Sequence, residues 1–177
     1  MTKIATVLDS MFEDVEYTEP AKAFKEAGHE VIVIGSEKGK SLQGKQKEEV
    51  LTADNGIDDV SPGEFDALFI PGGFSPDLLR GDDRFVQFTK AFADAGKPIF
   101  AICHGPQLLI TAEALKGRKV TGYKSIHVDL KNAGATVEDK EVVVCGGNLV
   151  TSRQPEDIPA FIKESLGVLE KRTSAVQ

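Results

Sequence analysis

Residues 98–115, PIFAICHGPQLLITAEAL, decide how this chain folds. PIFAI is a short apolar run, the composition of a strand buried on both faces. C-H-G-P-Q follows with almost no loop, and LLITAEAL then carries apolar residues at helical spacing. A helix is therefore predicted from about His104 toward Leu115. A strand that passes straight into a helix forces the junction residue, Cys103, to point out at the top of the sheet on a strained backbone.

The same alternation extends outward from this stretch. Strands are predicted at Lys3–Leu8, Glu30–Ile34 and Ala67–Ile70, with weaker ones at 119–122, 142–145 and 149–151. Helices are predicted over Tyr17–Ala27 (closed by Gly28), Arg84–Ala95, Ile126–Asn132 and Pro155–Leu169. The polar, glycine-punctuated stretch 38–54 has room for a small hairpin. Apolar strands alternating with helices imply an α/β fold whose mostly parallel sheet is covered on both faces. Ligands of such sheets bind beyond the carboxyl ends of the strands. Three loops lie there: Asp9–Glu16, Pro71–Asp77 and Cys103–Gln107.

A length of 177 residues, 41% hydrophobic and 28% charged, fits a single folded domain spanning 1–177. The net charge of −7 disfavours nucleic acid and anionic membranes as partners. No apolar run approaches a bilayer span, and MTKIATVLDS reads as a first strand rather than a signal peptide. A cytoplasmic setting with reduced thiols is expected for the two cysteines. Two cysteines and three scattered histidines lack metal-ligand spacing, so no metal site is expected.

Cys103 is the candidate nucleophile. Its place near a helix N-terminus predicts a lowered thiol pKa. Adjacent His104 either reaches the sulfur or serves the leaving group. Cys145 follows three valines and reads as packing, His29 as a surface turn residue and His127 as solvated. Gly72 and Gly73 allow backbone N–H groups to approach a ligand and form an oxyanion site, which the N–H of His104 is placed to share, while Gly105 supplies the small neighbour the turn needs. The acids Asp9, Glu13, Asp14 and Glu16 of the first loop repel phosphate, which argues against a flavodoxin-type cofactor, and no cofactor is expected. One of them can lean toward the thiol. A carboxyl buried there stays protonated and donates to the sulfur.

Six stretches, FEDVE (12–16), FIPGGFSPDLLR (69–80), AICHGPQLL (101–109), LKGRKVTGY (115–123), DLKNAGA (129–135) and NLVTSRQPED (148–157), resemble the ThiJ/PfpI superfamily across nearly the whole chain. The similarity is greatest to its PfpI-type branch of intracellular proteases, general stress proteins and protein deglycases. The resemblance implies a flavodoxin-like three-layer α/β/α sandwich of the class I glutamine amidotransferase type, with Cys103 as elbow nucleophile. It implies that Glu13 bonds the sulfur and that the N–H groups of Gly73 and His104 form the oxyanion site. It also implies that His104 pairs with an acid of a neighbouring subunit, in a homodimer or higher oligomer. Asp77 occupies that position, where the family usually carries the longer Glu. Tyr123 matches a polar aromatic position near the pocket.

Three activities are expected from this set. The leading one is cysteine-dependent stress-response chemistry on α-oxoaldehydes such as methylglyoxal, or on their early protein or nucleotide adducts, as a deglycase or a glutathione-independent glyoxalase releasing lactate. The partners are then a small aldehyde or a glycated protein. The alternatives are an intracellular cysteine peptidase using Cys103, His104 and Asp77, and a redox sensor or holdase acting through oxidation of Cys103.

Overall fold

Strands apolar on both faces must be covered on both faces, and the computed structural model, which describes residues 2–176, does this with one central sheet. In chain order its elements are β1 (Lys3–Val7), α1 (Asp14–Glu26), β2 (Glu30–Gly35), β3 (Ser41–Gln43), β4 (Val50–Thr52), β5 (Asn55–Gly56), β6 (Ala67–Ile70), α2 (Ser75–Arg80) and α3 (Asp83–Asp94). They continue with β7 (Ile99–Ile102), α4 (Pro106–Thr111), β8 (Lys119–Val120), α5 (His127–Asn132), β9 (Thr136–Val137), β10 (Val143–Cys145), β11 (Leu149–Ser152) and α6 (Ile158–Val176). The sheet runs β10-β11-β7-β6-β1-β2-β5, parallel throughout except for the β10–β11 hairpin. β3 and β4 form the small hairpin expected within 38–54. Among the described residues, no helix is long and apolar enough to cross a membrane.

Side chains alternate across the pleat and sort the core into two layers. Ala5, Val7, Leu68, Ile70, Ile99 and Ala101 pack with Phe85, Phe88 and Phe92 of α3, Leu108 and Leu109 of α4, and Leu130 of α5. Ile4, Ala67, Phe69, Phe100 and Ile102 face Tyr17, Ala21 and Phe24 of α1 and Phe161 of α6. This is the expected three-layer α/β/α arrangement.

Three of the departures from the expected boundaries lie around the site. α1 begins at Asp14 rather than Tyr17. A short helix, α2, occupies the loop read from Pro71–Asp77, with Pro76 in its first turn, where its missing N–H costs nothing. α4 is shorter than the predicted 104–115, because Glu113 turns to φ 56° and ends the helical path.

Candidate active site

Cys103 leaves β7 at φ 63°, a left-handed conformation that costs a residue with a Cβ about 1–3 kcal/mol. The surroundings hold it there. Its N–H donates to Ser152 O at 3.0 Å, and its carbonyl accepts from Tyr123 N–H at 2.8 Å. Gly105 is obligatory beside it, since a Cβ would run into Ile70 O and the Ile102 backbone. The strained elbow read from the sequence is therefore present. Cys103 is only 7% exposed, yet it lines the floor of a cleft of about 350 Å³. Glu13, Glu16, Lys45, Gly73, Phe74, His104, Tyr123 and residues 154–156 form its walls.

The acid at the sulfur is Glu16, not Glu13. Glu16 is fully buried in the first turn of α1. Its Oε1 accepts the Gly72 N–H at 3.0 Å, and Oε2, which has no nitrogen or oxygen partner, is left for the thiol of Cys103. Gly72 keeps the two together, since a Cβ on it would collide with the Glu16 carboxyl and with Cys103 Cβ. Glu13 stands one position before the helix and turns outward, bonding Lys45 Nζ and Gln46 Nε2 at 3.2 Å each.

Burial drives the charge state. It raises Glu16 from an ordinary 4.5 to about 8, with the neighbouring charge of Glu13 adding to the rise. The lowered thiol pKa expected for Cys103 is also corrected. Burial first, then the charge of Glu16, push it up, and the N–H groups of His104 and Gly73, which are directed at the sulfur, only partly offset this. These two amides are the pair expected at the oxyanion site; Gly73 reaches its place at φ +84°, pressed so closely on 11–13 that no side chain fits. His104 Nδ1 lies 3.4 Å from Cys103 Sγ, and its ring stacks on Tyr123 with centroids 4.8 Å apart. Burial, and then the charge of Lys45, hold its pKa below the usual value. Cys103, Gly72, Gly73, His104, Gly105 and Tyr123 thus converge.

Asp77 does not join them within the chain. It is exposed on α2 and is not among the cleft-lining residues. His127, read as solvated, is half-buried, with Nε2 2.8 Å from Gly122 O. Lys45 and Glu156 were not singled out from sequence, because they reach the cleft from distant segments and carry no local signal; Phe74 lies within the Pro71–Asp77 loop but was not read as a site residue. Glu16 did carry one: it lies four residues before Pro20 and eight before Phe24, on the buried stripe of α1.

Residues 2–167 match the DJ-1/PfpI family. General stress protein 18 of Bacillus subtilis (strain 168) is 70% identical over 169 residues, covering 96% of this chain and 98% of that protein. Protein/nucleic acid deglycase 2 of Escherichia coli (strain K12) is 57% identical over 167 residues, covering 94% and 97% respectively. A crystal structure of a two-domain protein from Anabaena variabilis, containing dj-1/thij/pfpi-like and ferritin-like domains, has a TM-score of 0.93 at 38% identity. It covers 96% of this chain, which spans 48% of that larger one.

Proposed function

The chain belongs to the DJ-1/PfpI family, and we propose that it is a cysteine-dependent enzyme of the stress response acting on α-oxoaldehydes and their early adducts. The observation that carries this reading is the contact between a buried carboxyl, raised to about 8, and a thiol on a strained elbow facing two backbone N–H groups. A stress protein and a deglycase at 70% and 57% identity support it.

The chemistry follows from the site. The sulfur of Cys103 adds to the aldehyde carbon of methylglyoxal as the thiol proton leaves, and the N–H groups of Gly73 and His104 receive the carbonyl oxygen. The carboxylate form of Glu16 takes the C–H proton of the resulting hemithioacetal and returns it to the neighbouring carbon, which converts the adduct into a thioester. Water then cleaves the thioester, so that one methylglyoxal and one water give lactic acid and the free thiol. A pKa near neutrality suits Glu16 to a step in which it must both accept and return a proton. In an early adduct, a hemiaminal, the sulfur displaces the amine: the S–C bond forms as the C–N bond breaks, the thiol proton leaves with the protein or nucleotide amine, and the same hemithioacetal results.

The small cleft favours this chemistry over peptide cleavage, as does the lack of a carboxylate on His104 among the described residues. Self-association belongs to the same proposal. Phe74, just before α2, and Leu78, next to Asp77 on α2, are 54% and 47% exposed, an apolar surface beside the cleft suited to a second copy. The test is lactate release from methylglyoxal. Wild type should turn over, Cys103→Ala should not, and equal rates would remove Cys103 from the reaction. Cleavage of a fluorogenic peptide that is lost in Asp77→Asn would favour the peptidase alternative.

A further inference from the structure

Four carboxyl or ammonium side chains line the cleft: Glu13, Glu16, Lys45 and Glu156. Three of them are already engaged. Glu13 accepts from Lys45 Nζ and Gln46 Nε2 at 3.2 Å each, and Lys45, whose Nζ also stands 5.6 Å over the Phe74 ring, is neutralised by that contact. Glu16 is turned inward to the Gly72 N–H and the thiol. Glu156 is exposed and, among the described residues, has neither an ion pair nor a side-chain hydrogen bond. Its backbone is nevertheless fixed. Glu156 is the middle residue of a single 3-10 turn, Pro155–Asp157, closed by Asp157 N–H donating to Gln154 O at 2.9 Å. Asp157 is buried, and Arg153 clasps its carboxylate with its own N–H at 3.0 Å and with Nε and Nη2 at 2.9 and 3.0 Å. The turn is thus tied down directly after β11, whose Ser152 O receives the Cys103 N–H at 3.0 Å.

We propose that Glu156 is a specificity-determining residue that receives the cationic end of an arginine adduct and turns phosphate away, so that this chain takes adducts on arginine in preference to adducts on nucleotides. Three carboxyls against one ammonium leave the cleft walls net negative even when Glu16 holds a proton, and a cleft focuses such a field on its opening. An early adduct on arginine keeps the guanidinium charge beside the carbon that came from the aldehyde. A planar guanidinium can give one carboxylate two parallel N–H bonds, and Glu156 is the carboxylate of the cleft left to accept them. A nucleotide adduct brings phosphate charge to the same mouth, where Glu156 repels it. Lys45 does not reverse this balance, because Glu13 holds it. The rim already shows how a cation is seated here, with an ammonium between a carboxylate and an aromatic face.

This inference rests on the cleft being the adduct site, but its test needs no turnover. Iodoacetamide alkylation of Cys103, followed by peptide mass, reports how well an added probe shields the sulfur. The probes are Nα-acetylarginine amide, its neutral isostere Nα-acetylcitrulline amide, and guanosine monophosphate. In wild type the arginine probe should protect at about threefold lower concentration than the citrulline probe, the scale of one exposed ion pair, and guanosine monophosphate should protect least. Glu156→Gln should bring the arginine and citrulline probes level, and Glu156→Asp should keep part of the difference. Comparing probes within one variant cancels any change in the reactivity of the thiol itself. Equal or absent protection by the two isosteres in wild type, an unchanged preference in Glu156→Gln, or guanosine monophosphate protecting as well as the arginine probe overturns the proposal. A charge preference that Glu156→Gln removes, in a chain that releases no lactate from methylglyoxal, would sink the aldehyde reading while leaving this one standing.

Discussion

Glu16 and Cys103 form a buried pair, the carboxyl fixed by the Gly72 N–H at 3.0 Å and its second oxygen left to the thiol. Carboxyl and thiol are each pushed upward by burial, so the pair resists carrying two negative charges and shares a proton near neutral pH.

Glu16→Gln keeps the shape and the bond from Gly72 but cannot exchange a proton. Lactate release should fall about 10²-fold or more, the scale of lost acid–base catalysis. Glu13→Gln, which loses only bonds at the rim of the cleft, should change the rate less than about threefold, since exposed ion pairs contribute little. Parallel assays of the two variants separate the assignments.

The raised Glu16 also links stability to pH. Its carboxyl binds a proton more tightly in the folded chain (about 8) than in the unfolded one (4.5), so its contribution to stability falls as pH rises from about 4.5 to about 8 and is level above that. Glu16→Gln removes this slope. Urea unfolding should therefore show the variant gaining on wild type with each step from pH 5 to about pH 8 and no further gain at pH 9, whereas a constant difference throughout would contradict burial of an ionisable group at this site.

Gly72→Ala puts a methyl into the Glu16 carboxyl and 2.8 Å from Cys103 Cβ. Stability should drop by about 1–3 kcal/mol and lactate release should collapse, because the acid and the thiol are forced apart. Gly63→Ala meets open space and serves as the control, with melting temperature and turnover near wild type.

Asp14 clasps the β3–β4 connection. Its carboxylate accepts the N–H groups of Gln46, Glu48 and Glu49 at 2.8, 3.1 and 2.9 Å, and the same loop brings Lys45 to the cleft. Asp14→Ala strands these donors and should cost about 2–3 kcal/mol in denaturant unfolding. Hydrogen exchange should rise across residues 44–49 while the central strands keep their protection.

The fold was legible because the strands around PIFAI are apolar on both faces, which admits few architectures besides a covered parallel sheet. The elbow was legible because no loop separates Ile102 from Pro106. The identity of the acid was not, for a definite reason. A helix read as starting at Tyr17 leaves Glu13 and Glu16 equally in the loop, whereas a start at Asp14 puts Glu16 on the inward stripe and turns Glu13 out. The upward push of burial on the thiol was not legible, because sequence shows the nearby helix start but not how deeply the sulfur is buried. Lys45 could not be found locally, since the bond from its N–H to Phe12 O that brings it to the cleft is made only in the folded chain.

The central claim is that the sulfur of Cys103 forms a bond to the aldehyde carbon, and rapid-quench mass spectrometry of the wild-type chain with methylglyoxal tests it most directly. A transient gain of one methylglyoxal unit on the peptide containing Cys103, decaying at the rate lactate appears, is the predicted result. Lactate formed while that peptide stays unmodified at every time point would contradict it.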